Sequence, residues 1–143
     1  MGYTHYWKHK ADLPEDKWGG FMMWAKEILE HETAAPTCTE FDEPFGFPQI
    51  TRNLVRFNGV LVDGHDTFLF CRQDKERQFC KTSGKPYDQV VTAILILAHE
   101  WFGDLIEITS DGHWSDWRRG IDLFEAATGR TALPPSGMKG DQA

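Results

Sequence analysis

A lysine and two small residues stand directly before the most apolar segment of the chain, where a phosphate group could bind. Lys85 follows a serine and a glycine and precedes Pro86, and an apolar run begins at Val90. Backbone N–H groups and the helix dipole at such a helix start can hold an anion. Lys81 is expected to project near the same place. The alternative is an ordinary loop that leads into a helix, because the spacing is not that of a Walker A sequence.

Aromatic and basic side chains on two predicted strands could complete a nucleotide pocket. Tyr3, His5 and Trp7 alternate along the first strand, so they are expected to share one face. Such a face can stack on a planar base, or it can pack on the core. Arg52 and Arg56 share one face of a later strand and could supply charge to bind phosphate. A pocket for a base and its phosphates is therefore chemically coherent, with core packing as the alternative.

Two short segments combine a histidine with aspartate and glycine. Residues 63–66 read DGHD, and residues 110–113 read SDGH. Aspartate and glycine are common in turns for backbone reasons. A histidine beside carboxylates can also titrate near neutral pH, so either segment, including His65 and Asp66, could form part of an acid/base or ligand-binding rim. The predicted ligand-binding residues are Tyr3, His5, Trp7, Arg52, Arg56, His65, Asp66, Lys81, Lys85 and Tyr87.

Six histidines and three cysteines form no recognised metal or nucleophile motif. There is no HExxH and no GxSxG sequence. Cys71 and Cys80 on neighbouring predicted strands could supply two zinc ligands, although buried apolar cysteines are the alternative. A Cys–His pair formed only in the fold stays open. We therefore predict no metal site, no cofactor and no catalytic residue.

Hydrophobic periodicity places these residues on strands and helices in the order β-α-β-β-β-α-β-α. The elements are a strand over 3–8, a helix beginning after Asp12, strands over 51–58, 67–73 and 78–82, a helix opened by Pro86, a strand over 105–109, and a helix from near 115 that ends at Gly129. The second and third strands of the middle group are expected to form a hairpin with Cys71 opposite Cys80. The segment from Val90 to Ala98 is apolar around its circumference, so its helix should be central.

These elements predict an α+β fold in a single domain over residues 1–129, with three helices and a mixed sheet of about five strands. Residues 130–143 are predicted to form a flexible C-terminal tail. The segment 32–49 is an irregular loop, and its phenylalanines, Phe41, Phe45 and Phe47, are expected to pack against the domain.

Composition limits the function classes. The 143 residues carry a formal net charge of −7, so nucleic acid is not expected as a partner. No apolar run approaches the roughly 20 residues that span a bilayer, so no membrane partner is expected. The odd number of cysteines, without a CxxC pair or a signal peptide, predicts a location in a reducing cytoplasm.

Several short motifs together resemble a group of uncharacterised phage and prophage proteins. They are Gly2-Tyr3-Thr4-His5-Tyr6-Trp7, Phe57-Asn58-Gly59, Asp63-Gly64-His65-Asp66-Thr67-Phe68, Phe79-Cys80-Lys81-Thr82, Lys85-Pro86-Tyr87-Asp88 and Ser110-Asp111-Gly112. The resemblance spans roughly residues 2 to 125 and excludes the 32–49 loop and the tail. It implies a small accessory protein made in the cytoplasm of an infected bacterium.

The function predicted from these observations is binding. The protein would counter a bacterial defence system, either by sequestering a nucleotide-derived signal or by docking on a host defence protein. The alternative is an enzyme acting on a nucleotide or phosphoester, with His65, Asp66, Lys81 and Lys85 as its candidate residues. A structural homo-oligomer without a ligand is the third interpretation.

Overall fold

The computed structural model describes residues 3–40 and 42–138. Predictions that concern Gly2, Phe41 or residues 139–143 lie outside these ranges. Within the described ranges the chain forms three α-helices and seven strands. In chain order they are β1 (Thr4–His9), α1 (Glu15–Glu30), β2 (Thr37–Cys38), β3 (Gln49–Ile50), β4 (Leu54–Gly59), β5 (Phe68–Cys71), β6 (Gln78–Lys81), α2 (Asp88–Phe102), β7 (Ile106–Ser110) and α3 (Arg118–Thr128). The predicted α+β class with three helices is confirmed.

The described strands form two antiparallel sheets, whereas the sequence predicted one sheet of about five strands. β1 is the centre of the first sheet and pairs with β6 and β7. β4 is the centre of the second sheet and pairs with β2, β3 and β5. His9 at the end of β1 joins the two sheets, because its Nε2 donates to the Cys71 carbonyl at 2.6 Å.

The predicted hairpin between β5 and β6 is wrong. Cys71 pairs with Leu54 of β4, and Cys80 pairs with His5 of β1, so the two cysteines lie in different sheets. The backbone of Arg72 explains the separation, because its N–H donates to Asn53 and its carbonyl accepts from Leu13. The backbone groups at the end of β5 are therefore already bonded to Asn53 and Leu13 and are not available to pair with β6.

The three helices pack against one another. Every residue from Val90 to Ala98 is buried, so the predicted central position of α2 is confirmed. α2 contacts both other helices and β7. Gly120 permits the close crossing with α3, because a Cβ there would overlap the side chain of Thr92.

Helix α1 buries one stripe of its surface, as its sequence predicts. Trp18, Phe21, Ala25 and Ile28 are buried at helical spacing. Gly20 lies directly beneath the Trp101 ring, and a Cβ at this position would overlap that ring. Glycine is unfavourable inside a helix, but at position 20 it allows α1 to pack closely against α2.

The prediction that Phe45 and Phe47 of the loop after α1 pack against the domain is wrong. Phe45 and Phe47 are both exposed, because the segment is tied down through other groups. Cys38 is buried and its Sγ donates to the Glu40 carbonyl, while the Thr39 hydroxyl donates to the Phe47 carbonyl. These bonds fix the backbone of the loop and leave the two rings outside.

The segment after α3 contacts the domain through residue 138. The Arg130 guanidinium pairs with both carboxylate oxygens of Glu100 and lies 4.6 Å from the centre of the Trp24 ring. Ala132 is buried, and Gly137 lies against the Ile108 carbonyl. The predicted mobility of this segment stays a prediction.

No helix in the described ranges, 3–40 and 42–138, combines the length and the apolar character needed to cross a membrane.

Candidate functional site

A polar cavity of ≈ 390 Å³ lies beside the first turn of α2. Its wall combines the start of β1, the loop before α2, the turn after β7 and the beginning of α3. The lining residues are Tyr3, Gly84, Lys85, Pro86, Asp88, Gln89, Asp111, Gly112, Asp116 and Arg119. Its volume falls within the range of small-molecule sites, about 300–1,000 Å³.

Two positively charged side chains at this cavity are not paired with other groups in the described part of the protein. The side chains of Lys85 and Arg119 have no hydrogen-bond or ion-pair partner among the described residues. The adjacent Arg118 instead pairs with Asp122 on the surface of α3. Lys85 and Arg119 can therefore bind a negatively charged group without first breaking an internal ion pair.

The three carboxylates of the cavity each already bind a protein group. Asp88 accepts hydrogen bonds from His5 and Thr82. Asp111 accepts from the backbone N–H of Thr4, and Asp116 accepts from the backbone N–H of His113. Their remaining acceptor capacity suits a ligand that brings hydroxyl or amide donors together with its negative group.

The backbone before α2 forms the ordinary helix entry that the sequence left open as the alternative to a cradle of free N–H groups. The Lys85 N–H donates to the Thr82 carbonyl, and the Asp88 N–H donates to the Lys85 carbonyl. The Gln89 N–H donates to the Pro86 carbonyl, and the Gly84 N–H contacts the Thr82 hydroxyl. These tight turns occupy the donors that an anion would use, so the lysine and arginine side chains are the available anion ligands.

A buried chain of polar groups lies behind the cavity. His5 Nε2 is 2.6 Å from Asp88 Oδ1, and His5 Nδ1 is 2.8 Å from Ser110 Oγ. A carboxylate only accepts, so Nε2 carries a proton, and in the neutral ring Nδ1 accepts from the serine hydroxyl. Ser110 Oγ in turn accepts from the N–H groups of Gly112 and Trp117. The network connects β1, α2, β7 and the turn before α3.

The Ser110–His5–Asp88 chain has the composition of a hydrolase triad, but its bonding is that of a structural network. The His5 ring is 0% exposed. Ser110 Oγ uses its one proton on the ring and its two acceptor positions on N–H groups. The serine oxygen therefore has no free position for a substrate carbonyl while these bonds hold.

Tyr3 lines the cavity and packs against the His5 ring of this network. Its ring meets His5 edge to face at 5.0 Å, and it lies against Gly112, where a Cβ would overlap the phenol. The hydroxyl is buried and has no hydrogen-bond partner among the described residues. Burial, with the charges of Asp88 and Asp116, raises the pKa of Tyr3 to about 12. The phenol is therefore a neutral donor at physiological pH.

Gln89 connects the cavity to the loop after α1. Its side-chain oxygen accepts from the Ala35 N–H at 2.7 Å, and its side-chain nitrogen donates to the Thr33 carbonyl at 3.0 Å. Both hydrogen-bonding ends of the amide are therefore committed to this loop.

The structure brings together two of the ten predicted ligand-binding residues, Tyr3 and Lys85, on the cavity wall, with His5 directly behind them. Trp7 instead packs against Phe68 and Phe70 in the core, which is the alternative that the sequence left open for this face.

The remaining predicted residues lie elsewhere. His65 and Asp66 line a separate depression, and Lys81 pairs through its backbone with Asp66. Arg56 is paired with Glu40, and Arg52 is exposed.

Tyr87 is part of the hydrophobic core. It is buried, and its hydroxyl donates to the Asp66 carbonyl at 2.6 Å. Burial and the neighbouring Cys80 raise the pKa of Tyr87. Its phenol is therefore a fixed neutral donor that holds the segment before β5.

Sequence reasoning missed Arg119, and for Asp111 and Gly112 it left both a turn and a binding rim open without including them among the predicted ligand-binding residues. The SDG motif after β7 was a visible signal for the latter pair. No sequence pattern marked Arg119, because its place at the cavity depends on how α3 packs against α2. Across residues 3–40 and 42–138, no three His, Cys, Asp or Glu side chains are grouped to hold a metal ion.

Comparisons with protein-family models, with curated proteins and with solved structures find no match to this chain.

Proposed function

We propose that the protein is a phage accessory protein that binds a nucleotide-derived signal of a bacterial defence system and thereby withholds it. The binding site is the polar cavity beside α2. The single observation that carries this proposal is the presence of two uncommitted cations, Lys85 and Arg119, on one cavity wall with an aromatic ring, Tyr3.

The chemistry of a nucleotide matches the groups of this wall. Phosphate oxygens require cations, which Lys85 and Arg119 supply. Ribose hydroxyls require acceptors, and carboxylates such as Asp111 and Asp116 are acceptors that proteins use for this purpose. A free inorganic anion would be repelled by these carboxylates, so the mixed wall favours a ligand that carries both kinds of group.

The test is recovery of bound ligand. The purified protein is incubated with a panel of cyclic and ADP-ribose-derived nucleotides, separated from free nucleotide by gel filtration, and heat-denatured. The supernatant is then analysed by mass spectrometry. We expect one nucleotide class to be recovered intact from the wild type, and not from a Lys85→Ala/Arg119→Ala variant.

Arg118→Ala is the matched control, because this neighbouring arginine pairs with Asp122 outside the cavity wall. It should retain the ligand. Recovery of a chemically altered nucleotide would replace sequestration with the enzyme alternative. If no member of the panel is retained by the wild type, the nucleotide proposal fails.

A further inference from the structure

An apolar cleft of ≈ 760 Å³ lies between α1 and the loop that follows it, and it shares no lining residue with the polar cavity. One wall is a continuous face of α1 that includes Met22, Met23 and Leu29. The other wall includes Phe47 and Ile50. The lining positions of α1 run from Gly19 to Glu30, a length of about 16 Å at 1.5 Å per residue. The cleft is therefore an elongated groove along a helix.

Large apolar side chains stand open to solvent at this groove. Phe47 is 83% exposed and Met23 is 59% exposed, and both line it. Phe45, two residues away, is 94% exposed. Contiguous exposed apolar surface of this kind marks an interaction site more often than a free surface, and methionines adapt to varied partners.

The stretch of chain that runs from the end of α1 through the following loop, and that supplies much of the groove, has an acidic sequence. No lysine or arginine occurs between Glu27 and Thr51, whereas this stretch contains six carboxylates. They are Glu27, Glu30, Glu32, Glu40, Asp42 and Glu43. Glu30 pairs with Lys26, and Glu40 pairs with Arg56. The other four have no ion-pair partner in the described ranges.

We propose that this groove docks a positively charged amphipathic helix of a partner protein. A helix presents apolar anchors at positions i, i+3, i+4 and i+7, a spacing that fits a groove parallel to α1. Lysines and arginines of that helix would be attracted by the excess of carboxylates in this stretch of the chain. A second copy of this chain is the poorer occupant, because it would bring a net charge of −7 and the same acidic stretch to the interface.

The probe is a fluorescein-labelled 18-residue peptide of leucine and lysine, with leucine at the spacing of a single helical face. A peptide with glutamate in place of lysine is its counterpart. Fluorescence anisotropy measures binding to the wild type and to three variants: Met23→Glu, Phe47→Glu and Phe79→Glu. Phe79 is the matched control, since it is 62% exposed and lies outside the groove.

We expect the leucine–lysine peptide to bind the wild type and Phe79→Glu equally, and to bind Met23→Glu and Phe47→Glu at least about tenfold more weakly. All three substitutions add one negative charge. A loss of peptide affinity seen only in Met23→Glu and Phe47→Glu therefore cannot come from the change in net charge. The glutamate peptide should not bind. Equal binding to all variants, or no binding to the wild type, overturns the proposal. A dimer in sedimentation that Met23→Glu dissociates would assign the groove to a second copy instead.

Discussion

His5 Nε2 lies 2.6 Å from Asp88 Oδ1, and this contact joins the first strand to the first turn of the central helix. The same carboxylate oxygen accepts the Thr82 hydroxyl, so one aspartate satisfies two polar groups of the interior. Both His5 and Thr82 are buried. Removal of the carboxylate leaves His5 and Thr82 without this acceptor, which lowers the stability of the folded state.

Asp88→Ala should therefore lower the free energy of unfolding by about 2–3 kcal/mol, because buried donors lose their partner. Urea denaturation followed by tryptophan fluorescence measures the change. Asp122→Ala, which removes an exposed pair with Arg118, is the control and should cost less than about 1 kcal/mol. Equal losses for the two variants would contradict a structural role for the His5–Asp88 contact.

The bonding of Ser110 predicts that it is not a reactive nucleophile. Its oxygen donates to His5 and accepts from two N–H groups. Intact mass should stay unchanged after incubation with a fluorophosphonate, and Ser110→Ala should lower stability by about 1–2 kcal/mol. A mass increase that maps to Ser110 and is absent from Ser110→Ala would instead establish a hydrolase site.

Stability should fall in alkaline solution, because burial raises the pKa of Cys80 to about 12. In the unfolded chain the thiol ionises near its ordinary value of 9.0, so only the unfolded state releases this proton between those limits. The contribution is fully present below pH 9 and is lost as the pH rises toward 12. Urea denaturation at increasing pH measures it.

The Cys80→Ala variant isolates this contribution. Its unfolding free energy should fall less steeply than that of the wild type, by at most about 1.4 kcal/mol per pH unit. The buried Tyr3 and Tyr87 have raised pKa values and still act in the variant, so part of the alkaline decline should persist. Identical slopes for the two proteins would show that Cys80 does not contribute.

Two helical glycines should respond to alanine with opposite signs. A Cβ at Gly120 would overlap Thr92 and approach the Ala93 backbone, so Gly120→Ala should destabilise by about 1–3 kcal/mol through overpacking. Gly19 has nothing within 4 Å of the same atom, so Gly19→Ala should stabilise by up to about 1 kcal/mol through helix propensity. Thermal unfolding of both variants measures the pair. Stabilisation by Gly120→Ala would contradict the close crossing of α2 and α3.

The sequence predicted the features that depend on local pattern. The apolar circumference from Val90 to Ala98 identified the central helix, and alternation placed His5 and Trp7 on one face of β1. Whether that face met the core or a ligand was left open, because alternation does not say what lies opposite. In the structure Trp7 packs in the core, whereas His5 lies behind the cavity wall and binds Asp88.

Features that depend on distant pairings could not be predicted. β5 and β6 are close in sequence, yet they join different central strands. The hairpin prediction used only their proximity and alternation, and neither reveals that Arg72 bonds to Asn53 and Leu13. The presence of Lys85 and Arg119 around one cavity has the same origin, since it depends on how α3 packs against α2.

The amide of Gln89 makes one side chain common to two recesses that are otherwise separate. It lines the polar cavity, while both of its hydrogen bonds end at positions 33 and 35, beside the apolar groove. A molecule that drew this amide toward the cavity would have to release the loop that forms the other wall of the groove. A ligand in the cavity that displaced the Gln89 amide would therefore also loosen positions 33 and 35 beside the groove.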